Sequence, residues 1–352
     1  MYILLAILIF SVLILTHELG HFLAAKLFGV RVNEFSICMG PAIWKKTVGE
    51  TTYAVRCIPI GGYCAMEGED EESSDPRAFT SAKAWKRLII LVAGAAFNFI
   101  TGLVVLLLLY SAVSGFSTPR IVDFYEGCPL QGEEKLQVGD EIYSIDGERV
   151  YLYSDISMLL PRNTTGIYDI VVRRDGELVE LKDLEMVQQP YEENGQTVYR
   201  YGLYFGTEGK TLGTVLKNSW YTAVDFVRIV RMSLQDLVSG WVSIDEMSGP
   251  VGIVSVIAQT GEQSESTQAA ALNIAYLAAF IAVNLAVMNL LPIPALDGGR
   301  MFLLIVTWVV EKIIRRKIDP KYEGYIHAVG MILLLAFLAF VTFKDIWKLI
   351  GA

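Results

Sequence analysis

Four long apolar runs divide this chain. The first begins at Tyr2 and carries no charged residue through Leu15, and its apolar character resumes over Phe22 to Phe28, broken only by Lys26. The others are Leu88 to Val113, about Ala269 to Leu291, and about Tyr325 to Phe343, each long enough to cross a bilayer. Between the first two runs, Val30 to Thr80 is too polar to span. There Phe35, Ile37 and Met39 alternate with Ser36 and Cys38, and Thr52 to Ile58 is rich in β-formers, with Gly40-Pro41 before the turn region and Gly61-Gly62 after the second run. This predicts a β-hairpin that folds back toward the end of the first helix, followed by a solvated acidic loop over Gly68 to Asp75.

The middle of the chain turns polar. Tight turns at Gly139-Asp140 and Asp146-Gly147 flank a strand over Glu141 to Ile145, and Tyr168 to Val172 with Leu178 to Leu181 make a second hairpin joined by Arg173 to Glu177. Thr197 to Phe205 adds one or two strands. Leu212, Val215, Leu216, Trp220, Ala223, Val224 and Val227 then recur at helical spacing, which predicts an interfacial helix. Ser248 to Ile253 reads as a turn into an apolar re-entrant segment, and Gly298 to Ile314 as a further apolar helix. The expected fold is a polytopic α-helical membrane protein of about four transmembrane helices, with a hairpin after the first and an inserted β-rich domain. Its segments are 1–115, 116–187 for the insert, 188–265 and 266–352.

Composition agrees. Of 352 residues 53% are hydrophobic and only 19% charged, and the mean hydropathy is +0.44. A formal net charge of −9 without any basic stripe excludes a nucleic-acid partner. Lys26, Arg31, Lys45, Lys46, Lys83, Lys86 and Arg87 lie between the first two spans, and Arg300, Lys312, Arg315, Arg316, Lys317 and Lys321 between the last two. Both loops are therefore expected on the cytoplasmic side, with the insert facing outward. Cys38, Cys57, Cys64 and Cys128 show no paired spacing and read as small packed residues.

Chemistry concentrates in Thr16 to Gly29, THELGHFLAAKLFG. On a helix His17 and His21 share one face, where two neutral imidazoles can hold one zinc ion while Glu18 projects nearby. The pattern is that of zinc hydrolysis, in which water is acidified to a pKa of about 7 and the glutamate takes its proton. Ionisable groups at membrane depth normally have a partner or a function, and a shared metal supplies both. A chance HExxH in a soluble core helix is the plain alternative. A signal peptide is disfavoured by the absence of a positive leader and of a small-x-small cleavage site. Far downstream, Pro292 and Pro294 in NLLPIPALDGGR must break a helix, presenting Asp297 beside Gly298-Gly299 where a third ligand is expected. Asn98, inside the second span, reads as a hydrogen-bonding contact to a neighbouring helix.

These motifs together resemble the site-2 protease family, in its bacterial RseP-type form of intramembrane zinc metalloprotease. HELGH at His17 to His21, GGYCAM at Gly61 to Met66, AGAAFN at Ala93 to Asn98, SGPVGI at Ser248 to Ile253 and NLLPIPALDGG at Asn289 to Gly299 occur in the family's order. The insert resembles a bacterial, permuted PDZ domain, a module that binds extended peptides by strand addition. The resemblance implies Zn2+ held by His17, His21 and Asp297, with Glu18 as catalytic base. It places Asn289 and Asn284 near the substrate, and Gly61, Gly62 and Tyr63 on a membrane-re-entrant hairpin that contacts it. It implies substrates that are single-span transmembrane proteins of the anti-sigma factor or remnant signal peptide class, cut first by an upstream site-1-type protease. It also implies a bacterial cell membrane location, with the active site toward the cytoplasm. Ala95 stands where the family often has proline, and one PDZ domain replaces a tandem pair. Two rivals are a zinc peptidase of another clan, with His327 as test residue, and a non-catalytic PDZ scaffold.

Overall fold

The computed structural model describes residues 2–69, 73–193, 196–241, 249–315 and 321–351. Asp70 to Glu72 of the acidic loop, Ser248 of SGPVGI, and Arg316 and Lys317 of the basic run lie outside the described residues. Two compact units emerge, Met1–Leu106 with Phe226–Ala352, and Leu107–Asp225.

The first unit opens with α1 (Tyr2–Phe28), β1 (Val32–Val48), β2 (Thr51–Met66) and α2 (Ala84–Ala112), whose last residues run into the second unit. Among the described residues, four helical stretches have the length and apolarity to cross a membrane: Tyr2–Phe28, Ala84–Ala112, Thr267–Asn289 and Gly324–Lys348. At most 33% of the most apolar stretch of any of them is buried inside the protein. The remaining apolar surface needs hydrocarbon around it.

The hairpin is more elaborate than its sequence suggests. Glu34 to Ile37 lies between Gly62 to Ala65 on one side and Thr52 to Val55 on the other, while Ala42 to Val48 pairs with Thr51 to Arg56. Each long strand thus bends and pairs twice, and Gly62 to Ala65 is left at one edge. The bends fall where φ is positive, at Cys38 (67°), Gly40 (85°) and Gly61 (86°). Gly61-Gly62 is therefore inside β2, where the hydrophobic pattern had put it after the strand: a glycine bend interrupts the alternation without ending the pairing. An apolar cluster of Ala25, Val30, Val32, Phe35, Cys64, Met66, Phe79, Ile90 and Leu91 clamps the root of this sheet against α1 and α2. Farther along, the Ser11 hydroxyl of α1 donates to the Pro59 carbonyl of β2 over 2.9 Å.

In the second unit follow β3 (Gly115–Phe124), β4 (Glu141–Ile145), β5 (Glu148–Arg149), α3 (Tyr153–Leu159), β6 (Ile167–Arg174), β7 (Glu177–Glu185), β8 (Gln189–Glu193), β9 (Gln196–Arg200) and β10 (Leu203–Gly209). The sheet runs β10-β3-β4-β6-β7, with β5 on β4 and β8-β9 as a separate hairpin. Because β10 pairs with β3, this sheet extends past Val187, where the polar tract had seemed to end it. The β6-β7 connection is shorter than expected. Asp175 and Gly176, both at positive φ, make the two-residue turn that suits the strand twist.

Returning to the first unit, α4 (Leu212–Ser239) crosses into it, and α5 (Pro250–Gln263), α6 (Thr267–Asn289), α7 (Asp297–Ile314) and α8 (Lys321–Gly351) complete the chain. On α4, Leu212, Leu216 and Trp220 of the apolar stripe are exposed, whereas its Val215 and Ala223 are buried beside Asn218, Ser219 and Thr222. The SGPVGI segment leads into a helix, α5, whose N-terminus is capped in trans: the Asp345 carboxylate of α8 accepts the N–H groups of Gly249 and Gly252, each at 2.9 Å. A cluster of Ala6, Leu13, Ile257, Ile274, Ile281 and Ala282 packs α5 against α1 and α6.

Candidate metal centre

His17 and His21 leave α1 on one face, their rings edge to face with centroids 4.7 Å apart and Nε2 atoms 3.1 Å apart. Asp297, in the first turn of α7, brings its Oδ2 to 3.1 Å from Nε2 of His17 and 3.3 Å from Nε2 of His21. Metal–ligand bonds of 2.0–2.1 Å in tetrahedral array give ligand separations of about 3.3 Å, so this triangle fits three corners of a zinc site. The proton inventory supports the fit. Nδ1 of His21 lies 2.8 Å from the Ile90 carbonyl and must donate to it, which leaves Nε2 bare. The buried Oδ2 of Asp297 has no hydrogen-bond partner. Bare acceptors converging at this distance repel each other unless a cation lies among them. Among the described residues this is the one group of three such side chains close enough to share an ion.

Small residues make the site possible. A β-carbon on Gly94 of α2 would fall on the His21 ring and 2.7 Å from Cε1 of His17. One on Gly20 of α1 would meet the Ala93 backbone carbonyl. The two helices therefore approach backbone to backbone at the metal triangle. One turn along α2, Asn98 is 1% exposed and accepts the Thr16 hydroxyl at 3.0 Å, the interhelical bond expected of it.

Glu18 faces the sheet edge. Its side chain lies close to the Cys64 backbone and to His21, His17 and Asp297. A β-carbon on Gly62 would sit 3.8 Å from Cγ of Glu18 and only 2.9 Å from the Ser36 carbonyl, so glycine is needed there. Gly61 is covered by Met39. Tyr63 turns its hydroxyl into the sheet: it donates to Glu34 over 2.7 Å and accepts from Arg56 over 2.5 Å. Arg56 also donates to the Gly40 carbonyl and to Ser36 Oγ, tying three strands together behind the edge.

The Asn289 amide, at the end of α6, lies 3.4 Å from Nδ1 of His17. As placed, Nδ2 is the atom that faces that nitrogen; with the amide turned over, its oxygen would accept Nδ1–H and free Nε2 for metal. Asn284 is half-buried, five residues earlier on α6, and so leaves the helix in another direction. After α6 the chain doubles back tightly. β-Carbons on Gly298 and Gly299 would enter the backbone of Leu290-Leu291 and Ile293-Pro294. Arg300, one turn into α7, forms an ion pair with Glu69 just beyond β2.

Sequence reasoning missed Gly94 and the Ile90 carbonyl. Gly94 had a signal, the run Ala93-Gly94-Ala95-Ala96 in an apolar helix, which marks close helix approach. The carbonyl had none, since every residue carries one.

A family model described as Peptidase family M50 matches residues 5–337. A protein of Clostridium perfringens provisionally named as a zinc metalloprotease is 34% identical over 348 residues, with 98% of each chain covered. A Fusobacterium nucleatum protein of the same provisional name is 36% identical over 358 residues, again with 98% of each covered. Regulator of sigma-W protease RasP of Bacillus subtilis is 27% identical over 424 positions, covering 97% of each chain. These matches set aside a peptidase of another clan: the chain belongs to peptidase family M50, the site-2 proteases, and is an intramembrane zinc metalloprotease.

Proposed function

We propose that this protein cuts single-span membrane proteins within, or at the cytoplasmic edge of, the transmembrane segment, using His17, His21 and Asp297 as zinc ligands and Glu18 as general base. The observation that carries this reading is the ligand triangle, with Glu18 held beside it and beside a free sheet edge. Zinc supplies a Lewis acid that acidifies water and polarises a carbonyl. Glu18 takes the proton from the attacking water and delivers it to the leaving amine. Asn289 orients the His17 ring, and the edge of Gly62 to Ala65 offers backbone groups to an extended substrate. A helical substrate hides its carbonyls in internal hydrogen bonds and must unwind before attack, so pairing with that edge holds the open form.

The Ser11–Pro59 bond supports a sheet that re-enters the membrane, since it lies near the midpoint of the first span. The basic loops support a cytoplasmic active site in a bacterial cell membrane, with the insert outside. There the insert, as a PDZ-like domain, excludes substrates whose ectodomains an upstream protease has not yet removed. The Bacillus subtilis relative is named a regulator of sigma-W, which supports anti-sigma factors as one substrate class; remnant signal peptides are the other class that the family resemblance implies. The test is cleavage of a bilayer-embedded single-span peptide with a shortened ectodomain, mapped by mass spectrometry. The expected result is one cut inside the span by the parent protein and none by Glu18→Gln. Equal cutting by both proteins, or a cut confined to the ectodomain, would refute the assignment.

A further inference from the structure

The segment that delivers Asp297 is held in a conformation its own sequence does not favour. Leu296 N–H bonds to the Ile293 carbonyl at 3.1 Å, closing a turn with Pro294 second and Ala295 third. Ala295 has φ +82°. A turn with proline second and positive φ third normally takes glycine or asparagine at that third place. Alanine there must be held from outside.

Two residues of α8 do so. Nδ1 of His327 accepts the Ala295 N–H at 3.3 Å. Three residues on, and on the same helix face, Gly330 leaves room for the loop: a β-carbon there would fall on the Pro294 ring and within 3.0 Å of its carbonyl carbon. We propose that His327 and Gly330 form a buttress on the last helix that fixes the Pro294-Ala295 turn and thereby aims Asp297 at His17 and His21. His327 is then a positioning residue two residues removed from the ligand. The proposal rests on the reading of Asp297 as a zinc ligand.

The test is zinc affinity, measured by chelator competition on the purified full-length protein. His327→Asn places an amide oxygen near the height of Nδ1 and should stay within about twofold of the parent. His327→Gln places its acceptor near the height of Nε2 and should weaken zinc binding about tenfold, as loss of a supporting partner does at other metal sites. Gly330→Ala should do the same, although alanine favours helix. Gly324→Ala, on the same helix with no neighbour within 4 Å, should change nothing. Adding Ala295→Gly to His327→Gln should recover most of the loss, because glycine holds positive φ unaided. A purely structural histidine would not separate Asn from Gln. Parent affinity in both His327→Gln and Gly330→Ala, while Asp297→Ala loses zinc, would overturn the buttress and leave the ligand set standing. Parent affinity in Asp297→Ala would overturn both.

Discussion

The two units bury different things. The insert hides a conventional apolar core in which Ile121, Ile142, Ile145, Ile170 and Val172 are all at most 1% exposed. One of its buried carboxylates is neutralised on the spot: Asp140 takes a two-pronged contact from Arg174, with both N–O distances 2.8 Å. The membrane unit does the reverse. It exposes long apolar faces and gathers His17, His21, Asp297, Glu18 and Asn98 inside. In water apolar burial drives folding, whereas in lipid the interior gains little from being apolar, so polar interior groups there are kept for bonding or chemistry. Mutations should accordingly damage stability in one unit and metal or catalysis in the other.

The largest expected effect tests the membrane half of that contrast. Glu18→Gln keeps the size and shape of the side chain and touches no ligand, so fold and zinc content should persist while peptide cleavage falls about 10²–10⁴-fold, as measured by turnover and elemental analysis. Loss of zinc along with activity would blur the distinction between ligand and base. Next, Ile142→Ala should remove about 2–5 kcal/mol from the insert while zinc content is unchanged, detected as faster hydrogen exchange across β3, β4 and β6 of the whole protein. Gly94→Ala inverts the pattern. Its methyl group should thrust into both imidazoles and lower zinc affinity about 10²-fold with little change in thermal unfolding, whereas the same change in a soluble helix would be mildly stabilising. The smallest effect belongs to the sheet. Arg56→Met removes the clip behind the Gly62 to Ala65 edge and, if that edge pairs with substrate as proposed, should cut kcat/KM about tenfold through KM, with zinc retained. A selective fall in kcat would place Arg56 nearer the chemistry than its contacts suggest.

Much of this was legible in the sequence because the chemistry sits on regular helices. Spacing alone puts His17 and His21 on one face, and two prolines forecast a helix break just before Asp297, with the next helix expected from Gly298, one residue after its observed start. The long apolar runs marked all four candidate spans. What stayed hidden depends on tertiary approach. The doubled pairing of Glu34 to Ile37 follows from bends at Cys38, Gly40 and Gly61, and nothing local distinguishes a glycine that bends a strand from one that ends it. The roles of Gly94 and the Ile90 carbonyl exist only because another element comes within bonding distance. The contact His327 makes was hidden for the same reason, since its partner is a backbone N–H more than thirty residues away.

Two stretches nearly three hundred residues apart meet so that two imidazoles and a carboxylate can hold one zinc ion. X-ray absorption at the zinc edge of the purified protein tests this most directly. The predicted spectrum has only nitrogen and oxygen neighbours at about 2.0–2.1 Å, with the multiple-scattering signature of two imidazoles that is lost in His17→Ala and His21→Ala. A sulfur neighbour at about 2.3 Å would bring a cysteine such as Cys64 into the coordination sphere and contradict the assignment.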